Sequence, residues 1–333
     1  MMVFKHKASD RSPAGHRWLR VIGALALTPV IVVSGLLVYL FARAMPDPVP
    51  GYAARKGTLV SVEELKRTLT GETLITELRL VSSSGLTVEI GVRMPREVKT
   101  PLPLVMLAAG LRTGHRAIYV TETWQQLVVV ALSYPFPGDP RAKGLSAYAA
   151  WLPNAQTAVL DTAPAVMLAM DYLARQSYVD MKRVELVGGS LGAFLVSVPA
   201  ALDQRFRRVW LVHGAGDPRA VFDHLLGRYI GFGPLRGLAA RGLASILATD
   251  HLRPEKWVGR IAPRPIIVVN ARDDESIAPA AVAALHQAVP KGTEIIWMEG
   301  PHVRTGRITV LEELIVLIVE RVLNDPPPVP TNK

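Results

Sequence analysis

The 333-residue chain contains no cysteine. A disulfide framework, a thiolate metal site and a cysteine nucleophile are therefore excluded. The chain also lacks an internal repeat and any Lys/Arg-rich block interleaved with aromatic residues. Its net charge of +10 therefore indicates a solvated basic surface with a membrane-flanking cluster, and we expect no nucleic-acid partner.

Residues 1–42 have the charge and hydropathy pattern of a membrane anchor. Residues 1–20 carry five basic side chains against a single acid, and residues 21–42 carry no charge. A helix needs about 20 apolar residues to cross a hydrocarbon core of about 30 Å. Basic residues beside a membrane-spanning helix usually lie on its cytoplasmic side. We therefore expect residues 1–20 to be a cytoplasmic segment and residues 21–42 to be a transmembrane signal-anchor helix. The rest of the chain would then lie on the extracytoplasmic (periplasmic or extracellular) side.

A cleaved signal peptide is the alternative for the same stretch. Ala42-Arg43-Ala44 is of the small-x-small type found at cleavage sites, and cleavage there would release a secreted protein. The apolar run is longer than the usual signal-peptide core of about 7–15 residues. This length favours a retained anchor, and a buried core helix is the third possibility.

Three further segments frame the remaining chain. Residues 43–56 are proline-rich at their start, which predicts an extended linker. Residues 57–72 place apolar side chains at helical spacing, which predicts a short amphipathic helix. The proline-rich end, residues 325–333, is expected to be a disordered tail. Residues 57–324 would form the main domain.

Eight β-type segments indicate an α/β fold. Leu74–Val81 and Leu86–Met94 flank a Ser-Ser-Ser-Gly turn, which predicts a hairpin. Six short apolar runs follow, with helical stretches between most of them: Leu104–Ala109, Leu127–Ser133, Arg183–Val187, Val209–His213, Pro265–Asn270 and Glu294–Met298. This alternation predicts a mostly parallel sheet with helices on both faces and sites at the carboxyl ends of the strands. Residues 215–262 interrupt the alternation with helical sequence, which predicts a small cap.

The stretch Gly188-Gly189-Ser190-Leu191-Gly192 lies between a strand-type run and a small-residue helical run. Gly-x-Ser-x-Gly in this setting is typical of the nucleophile elbow of a serine hydrolase. The serine occupies a tight strand-to-helix turn, so the positions two before and two after it cannot carry bulky side chains. A plain glycine turn is the alternative interpretation of these five residues.

A serine nucleophile needs a general base, and the base needs an orienting acid. The chain order in such folds is serine, acid, histidine, which leaves His286 and His302 as candidates for the base. His302 follows the last predicted strand and is favoured, whereas His286 lies inside a helical stretch. Asp274 is the favoured acid because of its distance from the end of the preceding strand. Asp273 and then Asp217 are the alternatives.

The oxyanion of an acyl-transfer intermediate needs two N–H donors. The backbone N–H of Leu191, directly after the serine, is one candidate. The backbone N–H of Leu111, in the glycine-bounded loop Gly110–Gly114, is the second. A phosphate-binding loop is a poor alternative here because the Gly-Lys-Ser/Thr ending is missing.

The elbow, Asp274 and Pro301-His302 together resemble the α/β-hydrolase superfamily. Dienelactone hydrolases, acetyl xylan esterases and prolyl-oligopeptidase-like enzymes are the most similar members, over about residues 72–324. The resemblance implies an eight-stranded, mostly parallel sheet, with Ser190 as nucleophile, Asp274 as acid and His302 as base. We therefore expect an anchored carboxylesterase that acts on a small-molecule ester without a metal or other cofactor. A peptidase or an acyltransferase with the same residues, and a non-catalytic binding domain, are the alternatives. The sequence does not specify an oligomeric state.

Overall fold

The computed structural model describes residues 28, 31–36, 38–39, 45–110, 113–120, 126–139 and 142–324. The chain divides into two units, Met1–Arg43 and Ala44–Lys333. In the first unit, residues 31–36 and 38–39 are helical. Within the described ranges, no helix is both long enough and apolar enough to cross a bilayer. Most of the predicted anchor (21–42) and all of the predicted tail (325–333) lie outside those ranges, so both stay predictions.

The second unit is built on a nine-stranded sheet with the order β1-β2-β3-β5-β4-β6-β7-β8-β9. The first three strands and the β3–β5 pair are antiparallel, and the pairs from β5 to β9 are parallel. The strands are β1 (Leu59–Thr70), β2 (Thr73–Ser82), β3 (Thr87–Pro95), β4 (Leu102–Ala108), β5 (Val128–Leu132), β6 (Val179–Gly189), β7 (Arg208–Val212), β8 (Ile266–Asp273) and β9 (Glu294–Pro301).

Helices cover both faces of this sheet. Ten are described: α1 (Tyr52–Lys56), α2 (Leu145–Leu173), α3 (Leu191–Leu195), α4 (Ser197–Leu202), α5 (Pro218–Leu226), α6 (Gly233–Ile246), α7 (Thr249–Leu252), α8 (Pro254–Trp257), α9 (Pro279–Ala288) and α10 (Ile308–Asn324). Successive residues of a strand point to opposite faces. Met106 of β4 accordingly belongs to the core cluster that contains Met170 of α2, and Val105 to the cluster that contains Ile318 of α10.

All eight predicted strands are present, and the hairpin forms at the expected turn. Gly85 has a φ of 84°, a left-handed conformation that glycine adopts without a steric penalty. Its N–H donates to the carbonyl of Ser82 over 3.0 Å. The mostly parallel sheet and the helices on both faces, predicted from the alternation of apolar runs and helical stretches, are therefore confirmed.

The predicted amphipathic helix over residues 57–72 is wrong, and the sheet consequently has nine strands instead of eight. Leu59–Thr70 forms the edge strand β1, antiparallel to β2, with register shifts between Leu59 and Ser61 and between Glu64 and Lys66. Each shift breaks the alternation of side chains, so the sequence does not show period 2. The strand is largely exposed on both faces, and such edges are commonly charged. The helical spacing of its apolar residues is therefore coincidental.

The linker predicted over residues 43–56 is only partly extended. A 3₁₀ turn at Val49–Gly51 leads into α1, and Tyr52 is 2% exposed within the main core. Arg55 and Lys56 form ion pairs with Asp161 and Asp171 of α2, each at 2.5 Å. A single buried aromatic ring and two ion pairs therefore fix the end of this segment to α2, which its proline content does not indicate.

Two features of the topology position the site. The chain order reverses at β4, which lies between β5 and β6, and ligands bind at such switch points outside the carboxyl ends of parallel strands. Residues 218–257 then contribute helices α5 to α8 between β7 and β8. These helices occupy the predicted cap region, 215–262.

Candidate active site

Ser190 lies directly after β6 with a φ of 56° and a ψ of −114°. This backbone conformation is strained for a residue with a side chain, and such strain is concentrated at functional sites. The amide of Ser190 donates to the carbonyl of Val212 over 2.9 Å, which fixes the turn against β7. The chain then enters α3, so the serine occupies the sharp strand-to-helix turn that the motif predicts.

Close backbone approaches explain the two outer glycines of the motif. A Cβ on Gly192 would lie 1.8 Å from the carbonyl oxygen of Ala108. A Cβ on Gly188 would lie 2.6 Å from the backbone of Gly192. In contrast, a Cβ on Gly189 would meet no atom of the described residues within 4 Å. The positions two before and two after the serine are therefore restricted to glycine by packing, as the motif predicts.

Three side chains from three strand ends form one hydrogen-bonded series. His302 follows β9, and its Nε2 lies 2.8 Å from the Oγ of Ser190. Asp274 follows β8, and its Oδ2 lies 2.7 Å from the Nδ1 of His302. The structure thus brings together the nucleophile, the base and the favoured acid that the sequence predicts. Both distances are within the range of a normal hydrogen bond.

The partners of His302 determine which of its ring nitrogens carries the proton. An ionised carboxylate only accepts hydrogen bonds, so the Nδ1–H of His302 donates to Asp274. The Nε2 of the neutral ring is then the acceptor, and the Ser190 hydroxyl donates to it. In this arrangement His302 is ready to take a proton from the serine.

Asp274 is held in its ionised form although it is buried. Burial raises the pKa of this carboxyl, but the hydrogen bond and charge of His302 and the N–H groups of Ser276 and Ile277 outweigh that effect. The net pKa is below its usual value. The two N–H groups donate to Oδ1 over 2.8 and 3.0 Å, which leaves Oδ2 for His302.

The remaining candidates from the sequence do not contact Ser190 or His302 in the structure. Asp273 is exposed at the end of β8. Asp217 caps α5, with its Oδ1 accepting from the backbone N–H groups of Arg219 and Ala220. The Nε2 of His286 lies 2.8 Å from the Oδ1 of Asn270, which places its side chain in the packing of α9 on β8.

Comparisons with known proteins agree with this fold. Residues 160–298, less than half of the chain, match the model of the prolyl oligopeptidase family. The acetyl xylan esterase 1 from Thermoanaerobacterium sp. JW/SL YS485 has a similar structure, with a TM-score of 0.57 and 16% identity over 83% of this chain and 94% of that one. The acetyl xylan esterase from Paenibacillus sp. R4 has a TM-score of 0.60 and 13% identity over 84% of this chain and 98% of that one. The 2,6-dihydroxy-pseudo-oxynicotine hydrolase has a TM-score of 0.55 and 16% identity over 77% and 70%, respectively. No curated protein matches the chain.

The chain has the α/β-hydrolase fold and is a serine hydrolase. Identities of 13–16% show the fold of the hydrolase. They do not show which bond it cleaves, which depends on the residues of the site.

Two residues that the sequence does not reveal hold the His302 peptide on both sides. The Oε2 of Glu275 accepts from the N–H of His302 over 3.2 Å, and the guanidinium of Arg307 donates to its carbonyl over 2.7 Å. Glu275 and Arg307 also form an ion pair at 3.0 Å. The hydrogen bond from Arg307 lowers the pKa of Glu275 to about 2. Glu275 is one of three consecutive acids, and no sequence signal distinguishes its role from that of a solvated carboxylate.

His213, directly after β7, is a further residue of the hydrolase that the sequence does not reveal. It is fully buried with a φ of 47°, and its ring centre lies 5.5 Å from that of His302. Its Nδ1 accepts from the N–H of Val303 over 2.9 Å, so its proton is on Nε2, a buried atom without a hydrogen-bond partner among the described residues. Its place at the carboxyl end of a parallel strand is the signal that could have identified it.

The protonation of His213 should make stability depend on pH. Burial and the neighbouring His302 lower its pKa to about 4, against the opposing charges of Asp274 and Glu275. In the unfolded chain the group titrates near 6.5, so below that pH the unfolded state binds the extra proton. The contribution of His213 to the free energy of unfolding is therefore fully present above about pH 6.5. It is lost as the pH falls to about 4, which lowers the free energy of unfolding by up to about 3 kcal/mol.

The matched variant for this prediction is His213→Asn, which keeps an acceptor for Val303 and tolerates a positive φ. Urea unfolding at pH 7 and pH 4.5 should show a smaller loss of unfolding free energy for the variant than for the wild type. Equal losses in the two proteins would show that His213 does not cause this pH dependence.

The oxyanion donors are only partly within the described residues. Leu191 begins α3, so its backbone N–H is at the N-terminal end of that helix beside Ser190. Leu111 lies outside the described residues and stays a prediction. The flanking Ala109 is fixed by Tyr134, whose hydroxyl donates to its carbonyl over 2.5 Å. Tyr134 thereby holds the start of the predicted oxyanion loop.

Two cavities of the hydrolase meet at Ser190 and His302. The first, of about 310 Å³, lies beneath the cap and is lined by α2, α3 and α5. The second, of about 610 Å³, extends past Gly110 toward α10. An ester has two halves on either side of its carbonyl carbon, so two cavities that meet at the nucleophile can hold one half each.

His213, Asp274 and His302 are also close enough to be considered as metal ligands, since their ligand atoms lie within 4.8 Å of one another. However, the Nδ1 of His302 and the carboxylate of Asp274 are bonded to each other, and the Nδ1 of His213 accepts from Val303. A metal would have to replace these hydrogen bonds. The arrangement therefore fits proton transfer better than metal binding.

Proposed function

We propose that the chain is a carboxylesterase that cleaves its substrate through a covalent acyl-enzyme on Ser190. The observation that carries the proposal is the uninterrupted hydrogen-bonded series from Ser190 through His302 to Asp274, at 2.8 and 2.7 Å. The two cavities that meet at Ser190 support it, because they offer a place for each half of an ester.

Acylation begins when the Oγ of Ser190 attacks the acyl carbonyl carbon and its proton moves to the Nε2 of His302. The electron pair of the carbonyl moves onto oxygen, where the N–H groups of Leu191 and Leu111 would stabilise the negative charge. Asp274 stabilises the imidazolium that His302 becomes. His302 then gives the proton to the alcohol oxygen as the ester C–O bond breaks.

Deacylation repeats these steps with water as the nucleophile. His302 removes a proton from water, the resulting hydroxide attacks the acyl-enzyme, and the proton returns to the Oγ of Ser190 as the acid leaves. No group beyond these residues and water is needed for the balance of atoms and charge. The strained elbow holds the Oγ of Ser190 at the cavity junction throughout both steps.

An ester substrate is supported by the acetyl xylan esterases that share the fold, and a comparison of ester and amide cleavage tests it. The hydrolase is expected to release p-nitrophenol from p-nitrophenyl acetate at a measurable kcat/KM and to leave p-nitroacetanilide intact. Preferential cleavage of anilides or of a peptidyl p-nitroanilide would contradict esterase activity. It would favour a peptidase, for which the match to the prolyl oligopeptidase family is the supporting observation.

An acyltransferase and a non-catalytic binding domain would each give a different result in the same assay. An acyltransferase would transfer the acyl group to an added alcohol faster than to water. A non-catalytic domain that only binds a partner through this pocket would neither release p-nitrophenol nor react with a fluorophosphonate. Each of these results would overturn the proposed hydrolysis.

We also propose that residues 21–42 anchor the hydrolase with its catalytic domain outside the cytoplasm. The uncharged run and the basic residues before it support this. Secretion after cleavage at Ala42-Arg43-Ala44 is the alternative. Alkaline extraction of membranes with N-terminal sequencing separates them: the anchor predicts a membrane-bound chain with its original N-terminus, whereas cleavage predicts a soluble chain that begins near residue 45.

A further inference from the structure

We infer that the cavity beneath the cap binds an unbranched hydrocarbon chain of about eight to ten carbon atoms, so that the preferred substrate is a medium-chain ester. The inference rests on the proposed esterase activity and adds the substrate class to it. The hydrocarbon chain belongs either to the acyl half or to the alcohol half of the ester, and two substrate series distinguish these possibilities.

The lining of this cavity is almost entirely hydrocarbon. No Asp, Glu, Lys or Arg of the described residues lines it. Its walls come from α2, α3 and the cap, including Trp151, Ala155, Ala158, Phe194, Phe222 and Leu225. Burial of a charged or polar substrate group against such walls without a hydrogen bond is unfavourable.

The hydroxyl groups of the lining form hydrogen bonds within the protein. The Tyr134 hydroxyl donates to the carbonyl of Ala109, and the Thr249 hydroxyl donates to the carbonyl of Ala244 over 3.2 Å. Ser190 and His302 are committed to the hydrogen-bonded series, which leaves Ser276 at the junction with the second cavity. A sugar or a carboxylate would therefore find few hydrogen-bond partners beneath the cap, whereas an alkyl chain needs none.

The size of the cavity sets the length of the chain. One water occupies about 30 Å³ of liquid and a methylene group is of similar size, so a volume of about 310 Å³ accommodates roughly ten such groups. An acetyl group would leave most of this space unfilled. Burial of each methylene contributes about 0.8 kcal/mol, which corresponds to about a fourfold gain per carbon.

The test is a chain-length series on the full-length protein with monomeric substrates. For p-nitrophenyl esters from acetate to palmitate, kcat/KM should rise about fourfold per methylene and stop rising at about eight to ten carbons. A parallel series of alkyl acetates shows whether the alcohol half binds instead. A rise of kcat/KM with chain length in either series supports the inference. The series that shows the rise identifies whether the acyl half or the alcohol half of the ester binds in this cavity. Turnover of acetate esters without a rise in either series would overturn it while leaving the esterase proposal intact.

Variants of the cavity wall give a second, directional test. Ala155→Leu places a larger side chain in the cavity and should lower the ratio of kcat/KM for octanoate over acetate by about tenfold or more. Phe222→Ala enlarges the cavity and should move the optimum to longer chains. The matched control is Ala150→Leu, the same change at an exposed position of the same helix, which should leave the ratio unchanged.

The outcomes of the variants are distinct. If Ala155→Leu fails to fold, Phe222→Ala and the wild-type series still decide the question. Two results together would place the alkyl chain outside this cavity. The first is an equal loss of kcat/KM for the acetate and octanoate esters in Ala155→Leu, and the second is an unchanged optimal chain length in Phe222→Ala. If the wild-type protein hydrolyses none of the esters through Ser190, the result would instead contradict the proposed function.

Discussion

Ser190→Ala is expected to lower the kcat for p-nitrophenyl acetate by about a millionfold, to the level of residual catalysis by binding and oxyanion stabilisation alone. The hydroxyl is the atom that forms the acyl-enzyme, and alanine has no substitute for it. Both residues have a Cβ, so the strained backbone at φ 56° is affected little. The measurement is steady-state kinetics with a thermal melt to show that the variant is folded.

Ser276→Ala is the matched control for this prediction. Ser276 also lines both cavities, but its hydroxyl contacts Glu275 and Arg304 rather than His302. The control should keep kcat within about tenfold of the wild type, because it removes only these two surface hydrogen bonds. A folded Ser190→Ala protein with substantial activity would show that another group is the nucleophile.

Asp274→Asn is expected to lower kcat by about ten-thousandfold while the fold is retained. The amide oxygen can still accept from the N–H groups of Ser276 and Ile277, as the carboxylate does. The amide nitrogen would then donate to the Nδ1 of His302, which forces the proton onto Nε2. His302 could no longer accept from Ser190, and the charge that stabilises its imidazolium would be missing.

Asp273→Asn makes the same chemical change one residue earlier and serves as the control. Asp273 is exposed, so its replacement should alter kcat by less than about threefold, as expected of a surface substitution. The pair separates the favoured acid from its nearest alternative in one experiment. A larger loss for Asp273→Asn than for Asp274→Asn would reverse the assignment.

The sequence identifies the parallel part of the sheet because each of these strands contains a short run of mostly apolar residues. Val128–Leu132, for example, is buried along its whole length, as expected for a strand covered on both faces. The edge strand β1 is not identified, because its bulges remove the alternation of side chains. The contact of Tyr52 with the core is also not identified, since one aromatic residue after a proline-rich stretch carries no periodicity.

The selection of Ser190, Asp274 and His302 depends on local rules. Close packing of Gly188 and Gly192 restricts the sequence around the serine, and the acid and histidine follow strand ends in a fixed chain order. The roles of His213 and Glu275 depend on contacts between distant segments, such as the bond from Val303 to His213 across 90 residues. Such contacts exist only in the folded chain, and a single sequence does not encode them in any spacing.

Covalent labelling of the full chain by a fluorophosphonate, mapped by mass spectrometry, is the most direct test of Ser190 as the nucleophile. We expect one adduct per chain, on the peptide that contains Ser190, because this hydroxyl is hydrogen-bonded to the Nε2 of His302. The adduct should be absent from Ser190→Ala and should form far more slowly in Asp274→Asn. An adduct on a different residue, or none on Ser190 in a protein that hydrolyses esters, would show that Ser190 is not the nucleophile.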